Sequence, residues 1–546
     1  MLKGETEMNL FGKKFALVLA LIAVLAMAGS ALAADVTDET SLRQQVETGG
    51  EITLTGDIKL TGSGDDGAIN ITKDTVLDLN GHMLSRTSDE AGKTFVIIVK
   101  NDATLTINDG SNGSGKIVST NTHDDADTQG YSRVIKIGSS TFNNGGGTGG
   151  TVVMNGGNLQ SAPVTNPAPD AWGGYGVVLY ADGSAAADKT GIDVTFIMNG
   201  GKIEAGWSGI AVFGTGCKVT VNGGEIIAPG YAIAGNGNGN NNGTMINING
   251  GALTSEKDVA IYHPQDGVMT VSGGTITGQD GIQMIGGKLN ITGGTIRAIG
   301  AYRETYEKDD DGSILGGAAL SILSRADYVG HLVVNISGTP TLESKNGNAI
   351  AEATVNNDKN EDHFEKLTIA GGTFTGAANQ AAIATYFAKP GDITITAGTF
   401  SSDIRKIFPA YPEAFGDIEI AENNGKFYVV IHSESISLPA TKEMTVGTSE
   451  RLEVTFTPEN TTETTLTWSS SDGSIVTVDG NGIVTAVSVG TADITATAEN
   501  GKTATCNVTV IAGAPQHSSG GGGGCSAGFG ALALLAAVPL MFRRKK

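Results

Sequence analysis

Between residues 194 and 400, apolar and polar positions alternate in short bursts that break at a pair of glycines and then resume. Val219 and Val221 flank Thr220, Ile246 and Ile248 flank Asn247, Met269 and Val271 flank Thr270, and Leu289 and Ile291 flank Asn290. Period two over four or five residues marks a strand with one buried face. Leu367 with Ile369, and Ile393 with Ile395, repeat the arrangement. The corner follows at once. Asn155, Asn199, Asn222 and Asn249 each precede Gly-Gly, and Ser272, Thr292 and Ala370 take the same slot later. Past the corner an apolar residue returns at a fixed offset, at Leu159, Ile203, Ile226, Leu253, Ile276, Ile296, Phe374 and Phe400. A third apolar piece, at Ile210, Ile233, Ile261, Ile282, Ile350 and Ile383, closes most units.

Steps of 23, 27, 23 and 20 residues separate Asn199, Asn222, Asn249, Ser272 and Thr292. A period in the twenties belongs to a solenoid of small units, each too small to bury its own apolar face. Three short strands per turn with tight corners predict an all-β chain whose main body is a parallel β-helix. At the corner, glycine adopts φ > 0 without steric cost. The preceding asparagines, stacked rung over rung, predict an amide ladder through Asn199, Asn222 and Asn249 that lapses into Ser, Thr and Ala. Roughly fifteen rungs at about 4.8 Å predict a stack on the order of 70 Å long.

The ends of such a stack need covering, because open sheet ends recruit other strands. "DETSLRQQVETGGEITLTGDIKL", Asp38 to Leu60, predicts a short amphipathic helix and a first strand, giving an N-terminal cap over 34–60. The β-helix is expected over 61–400. A C-terminal cap is expected over 401–432, where two prolines and several aromatics interrupt the repeat. The repeat segment resembles the pectate-lyase-like β-helix surface proteins of bacteria, with "TVLDLNGHML" and "AIYHPQDG" as local matches. That resemblance implies a displayed rod and allows for polysaccharide lyase or hydrolase activity.

From about Ser433 the pattern shifts to longer strands rich in Thr and Val, with close turn signals. "LTWSSSDGSIVTVDGNGIVTAVSVGTADITATA" resembles the group-2 bacterial Ig-like domain, which implies a β-sandwich spacer, sometimes adhesive, over 433–512. Trp468 would be its core tryptophan and Asp479-Gly480-Asn481-Gly482 a hairpin turn. Residues 513–524 read as a flexible Gly/Ser linker.

The terminal segments read as addresses. Lys13 and Lys14, the apolar run "FALVLALIAVLAMA" and "ALA" at 31–33 predict a signal peptide over 1–33, forming an N-terminal helix and cleaved between Ala33 and Ala34. At the other end, Gly524-Cys525, an apolar stretch from Ala527 to Phe542 and "RRKK" make up a 525–546 tail. It resembles the Synerg-CTERM class of bacterial sorting signals. The resemblance implies a hydrophobic transmembrane helix, processing or lipidation at Gly524 and Cys525 by a membrane protease or transferase, and display at the cell envelope. Basic residues retain their own side in the cytoplasm, leaving the body outside.

Composition narrows the chemistry. With 80 glycines, 5% aromatics and a formal charge of −22, the chain lacks the basic clusters that nucleic acid requires. Cys217, Cys506 and Cys525 are too scattered for a disulfide framework. A hydrolase would need paired carboxylates, and a lyase acidic calcium ligands beside a base, recurring at the repeat spacing. No such set stands out. "EKDDDGS" around Asp309–Asp311 lacks the alternating spacing of a calcium loop, and His82 and His263 fall at strand ends. No cofactor is implied; calcium alone stays open. Aromatics at the corners around the third strand, Trp172, Tyr175, Trp207 and Tyr262, with His263 beside them, are the candidate ligand-binding residues. Ring faces stack on sugars, so an exposed row of them would hold an extended polysaccharide or a matrix or host protein. The expectation is adhesion or glycan binding without catalysis. Polysaccharide cleavage and a purely structural envelope role are the alternatives.

Overall fold

The computed structural model describes residues 33–513 except 112, 124–129, 140–146, 164–172, 182–192, 236–242, 304–312, 314, 325–331, 355–363, 386–387, 409, 412–413, 416–417 and 460. The expected signal helix, the linker beyond 513 and the hydrophobic tail with Gly524 and Cys525 lie outside the described residues. Among the described residues, no helix is long and apolar enough to cross a membrane. The chain divides into two compact units, Met1–Val430 and Ile431–Lys546.

In the first unit, the turns between the two ends contribute a strand before the corner, a strand after it and a third strand. Strands before the corner pair in parallel and in register, so that Met154, Met198, Val221, Ile248, Val271 and Ile291 form one buried column. After the corner, Leu159, Ile203, Ile226, Leu253, Ile276 and Ile296 form another. The long strands Leu332–Ser344, Phe364–Thr375 and Ile393–Phe400 run through the corner and join the two arrays into one sheet. Third strands form a separate parallel sheet of eleven, from Ile69–Ile71 to Ile383–Ala384. Strands before the corner run from Ala34–Val36 to Ile393–Phe400, which makes the stack nearer 60 Å at about 4.8 Å per rung, somewhat shorter than the sequence periodicity suggests. Strands Thr295–Ala298 and Leu320–Ser324 belong to one turn although 21 residues separate them, so residues per rung vary.

Each corner glycine has its own task. Gly224 has φ of +87°. Gly223 has an ordinary backbone, but a Cβ there would stand 2.7 Å from the carbonyl oxygen of Asn199 on the rung below. One glycine lets the chain turn, and the other lets successive rungs close to sheet spacing. The amide ladder is present and longer than expected. Asn155 donates to Asn108, Asn199 to Asn155, Asn222 to Asn199 and Asn249 to Asn222, each at 2.8–2.9 Å, and Ser272 donates to Asn249 at 2.9 Å.

The N-terminal helix Glu39–Thr48 is capped by Asp38, whose carboxylate accepts from the Ser41 amide at 2.9 Å, and it buries Leu42 and Val46. At the far end a hairpin, Ile420–Asn423 with Lys426–Val429, pairs antiparallel onto Thr399 and Phe400. This reversal ends the parallel edge. Stacked Phe374 and Phe400, 5.0 Å apart, fill the last rungs.

The second unit is an antiparallel-rich sandwich. Thr441–Thr445, Thr503–Ile511, Gly490–Ala498 and Leu466–Ser470 make one sheet, and Ser449–Arg451, Ile483–Ala486 and Val476–Val478 another. Trp468 is half-buried and packs against the core, its ring against Gly482, which has φ of +77° in the hairpin turn closed by Asp479.

Candidate functional site on the outward face of the third sheet

The third sheet differs from the other two in being buried on both faces. Its strand Tyr175–Tyr180 is buried throughout, whereas Val194–Met198 in the first array alternates between buried and half-buried. Strands buried on both sides read as continuous apolar runs, and "YGVVLY" is such a run. Its side chains do not alternate simply. Val96 and Ile97 both join the central core, as do Val134 and Ile135, while Phe95 and Ile98 pack outward. Two inward neighbours put the outward positions three apart.

An aromatic band results. Tyr175 meets Phe213 edge-on at 6.5 Å, and Tyr180 stacks on Phe213 at 5.5 Å. Further along, Trp207 meets Tyr231 edge-on at 6.3 Å, and Tyr231 stacks on Tyr262 at 5.5 Å. The expected exposed row of rings is corrected by this packing. Tyr175 and Tyr262 are only 2% and 6% exposed, because the rings pack on one another and on the sheet. Trp207 is half-buried, and Trp172 lies outside the described residues. Burial pushes the Tyr175 and Tyr231 hydroxyls well above the usual phenol range. Tyr131, Trp207 and Phe213 are half-buried.

Sequence reasoning missed the cations inside this band. The Arg133 guanidinium lies 4.5 Å over the Tyr175 ring, with Tyr131 and Phe95 at 5.7 and 5.9 Å. Its Nη1 donates to the Tyr180 hydroxyl at 2.7 Å, and Lys93 Nζ donates to the same oxygen at 3.3 Å. Lys136 lies 5.6 Å from the Phe95 ring centre and 5.7 Å from that of Tyr180. Its ammonium is 3.4 Å from Asp65. Arg86, beside them, is fully buried and donates to the carbonyls of Phe95, Gly62 and Gly64. The signal was "YSRVIKI", in which Arg133 and Lys136 stand three apart, the spacing of the outward positions.

His263 ends the strand Ile261–His263 and is completely buried. Its Nδ1 lies 3.2 Å from the Gly286 carbonyl, while Nε2 has no hydrogen-bond partner. Burial lowers its pKa to about 4. The site therefore holds a neutral imidazole at pH 7, enclosed rather than offered to a ligand.

Carboxylates do occupy adjacent rungs at Asp258 and Asp280, linked by the Gln279 amide donating to the Asp258 carbonyl at 2.8 Å. Asp280 is fully buried, and burial raises its pKa to about 6. Its oxygens accept from the amides of Gly316 and Gly317 at 3.0 and 2.6 Å and from the Ser321 hydroxyl. Such a carboxylate pins a chain segment. Among the described residues, no group of three or more His, Cys, Asp or Glu is arranged to hold a metal.

Outside the coil, one module is assigned by comparison. Residues 434–508 match the bacterial Ig-like domain (group 2). The Ig-like module accounts for the sandwich of the second unit. Shorter likenesses extend to three further proteins. The chain is 35% identical over 97 residues to a 3-O-alpha-D-galactosyl-alpha-L-arabinofuranosidase of Bifidobacterium longum, covering 17% of this chain and 8% of that protein. It is 47% identical over 64 residues to a lacto-N-biosidase of Bifidobacterium bifidum, 12% of this chain and 6% of that one. An uncharacterized protein of Clostridium acetobutylicum is 44% identical over 71 residues, 13% of this chain and 18% of the relative. The chain thus spans less than a fifth of the length of these curated relatives.

Proposed function

We propose that this is an exported, envelope-anchored bacterial surface protein that binds glycan along the outward face of its third sheet, without cleaving it. The observation that carries this is the aromatic band, in which half-buried Trp207 and Phe213 pack on a buried base. Rigid rings pre-positioned by neighbours lose little entropy on stacking against a sugar. A parallel coil repeats its outward positions at rung spacing, so an extended chain meets successive contacts. In this account the Ig-like module acts as a spacer, and the 525–546 tail, with Gly524 and Cys525, is the sorting signal that fixes the protein to the envelope. Two relatives that share short stretches are named as glycosidases, which supports an extracellular, glycan-rich setting. Binding of the purified full chain to a polysaccharide and matrix-protein array tests the proposal. Retention of a glycan that falls at least tenfold in Trp207→Ala supports it, and no retention of any glycan overturns it.

Polysaccharide cleavage is the second reading, favoured by the same two relatives and by the raised pKa of Asp280, a property of proton donors in glycoside hydrolysis. Against it, the Asp280 oxygens are taken up by two backbone amides and Ser321. Chain shortening of any arrayed polysaccharide that is abolished in Asp280→Asn would establish cleavage.

A further inference from the structure

Among the described residues, the cations around Tyr180 are short of counter-charge. Lys93, Arg133 and Lys136 gather about one ring, and the carboxylate paired with them is Asp65, itself largely exposed and 3.4 Å from Lys136. In a chain of net charge −22, a local excess of positive charge runs against the composition. Burying a cation is costly unless something compensates it. The rings around Arg133 supply part of that compensation through their π faces. They do not use its hydrogen-bonding capacity. Arg133 is 5% exposed, and its Nε has no hydrogen-bond partner.

Tyr180 sharpens the point. Its hydroxyl oxygen already accepts from both Arg133 and Lys93, so the phenolic proton is left to donate elsewhere. Among the described residues it has no acceptor. The phenolic O–H and the Arg133 Nε thus face the same cluster with no acceptor among the described residues, and Lys93 stands exposed at the edge. Donors arranged in this way fit an oxyanion, which takes several charge-assisted hydrogen bonds at once.

We infer that Lys93, Arg133, Lys136 and Tyr180 form a binding site for an oxyanion carried by a glycan, a carboxylate or a sulfate ester. Lys93 meets the anion at the surface, and Arg133 and the Tyr180 hydroxyl hold it from below. Lys136 adds charge while paired with Asp65. This rests on the glycan-binding proposal and names the class of sugar that the face selects.

The test places uronate-bearing, sulfate-bearing and neutral oligosaccharides of equal length on one surface and measures retention of the full chain. A parallel series follows melting in inorganic sulfate against chloride at equal ionic strength. Acidic oligosaccharides should be retained at least tenfold better than neutral ones, the uronate and sulfate arms showing which anion is preferred. Arg133→Met should abolish the difference. Lys93→Met, at an exposed position that does not threaten folding, should reduce it severalfold. Sulfate should raise the melting temperature of the parent more than that of either variant. Equal retention of neutral and acidic sugars leaves glycan binding standing and overturns the anion site. Sulfate stabilisation that depends on Arg133, without retention of any sugar, keeps the anion site and overturns its glycan source. Retention of acidic sugars unchanged in both variants overturns the assignment of these residues.

Discussion

Asn222 Nδ2 donates to Asn199 Oδ1 at 2.8 Å across adjacent rungs, while the carbonyl oxygen of Asn199 occupies the space that a Cβ on Gly223 would need. A single corner thus ties sequence to stacking twice, through an amide that bridges rungs and a glycine that lets them approach. Replacing Asn222 by Asp removes the donor and sets a carboxylate against an acceptor. Because the ladder is solvent-exposed, the cost should be about 1 kcal/mol at pH 7 and smaller at pH 3, where the new acid is protonated. Denaturant unfolding of the variant at both pH values checks it.

The two corner glycines should fail for different reasons. Gly224→Ala forces φ of +87° on a residue with a side chain, at roughly 1–2 kcal/mol. Gly223→Ala meets the Asn199 oxygen and should cost at least as much. Gly391, where a Cβ would meet nothing within 4 Å, should accept alanine within about 0.5 kcal/mol. Unfolding midpoints of the three variants give the comparison.

Strand alternation made the first two arrays legible, since each has one face in the core and one half exposed. Asn199, Asn222 and Asn249 announced the ladder for the same reason: one residue type recurred at one corner. The third sheet resisted. Val96 with Ile97 and Val134 with Ile135 face inward as neighbours, so period two does not separate its faces. Arg133 and Lys136 therefore did not read as sharing a side. Lys93, Arg133 and Tyr180 come from three different rungs, a convergence that a linear pattern does not display. Tyr175 and Trp207 belong to one outward cluster and Tyr262 to another. Their burial was missed, because a ring at a corner packs on its neighbours when the sheet beneath has no polar face.

Two buried titrating groups should give stability opposite pH slopes. The folded pKa of His263 is lowered from 6.5 to about 4, so its contribution is present above pH 6.5 and lost as pH falls through 4. That of Asp280 is raised from 3.8 to about 6, so its contribution is present below pH 4 and lost as pH rises through 6. Each spans on the order of 3 kcal/mol. Relative to the parent, His263→Gln should fare better at pH 4.5 than at pH 7, and Asp280→Asn better at pH 7 than at pH 4.5. Thermal unfolding at the two pH values measures both differences, and parallel shifts would refute the assignment.

Neither described cysteine should react in the folded protein. Cys217 and Cys506 are both completely buried, and burial pushes the Cys217 thiol up to about 12. Thiolate is the reactive form. Iodoacetamide should label both only after denaturation, as peptide mass spectrometry will report.

The parallel coil itself is tested most directly by cross-linking register partners. Thr220 pairs with Asn247, and Asn247 with Thr270, on three consecutive rungs. With Cys525 replaced by serine, mild oxidation should close a disulfide in Thr220→Cys/Asn247→Cys, whose positions are one strand spacing apart at about 4.8 Å. Thr220→Cys/Thr270→Cys, two spacings apart, should stay reduced. Closure of the second pair and not the first would contradict the stacking on which the outward face of the third sheet depends.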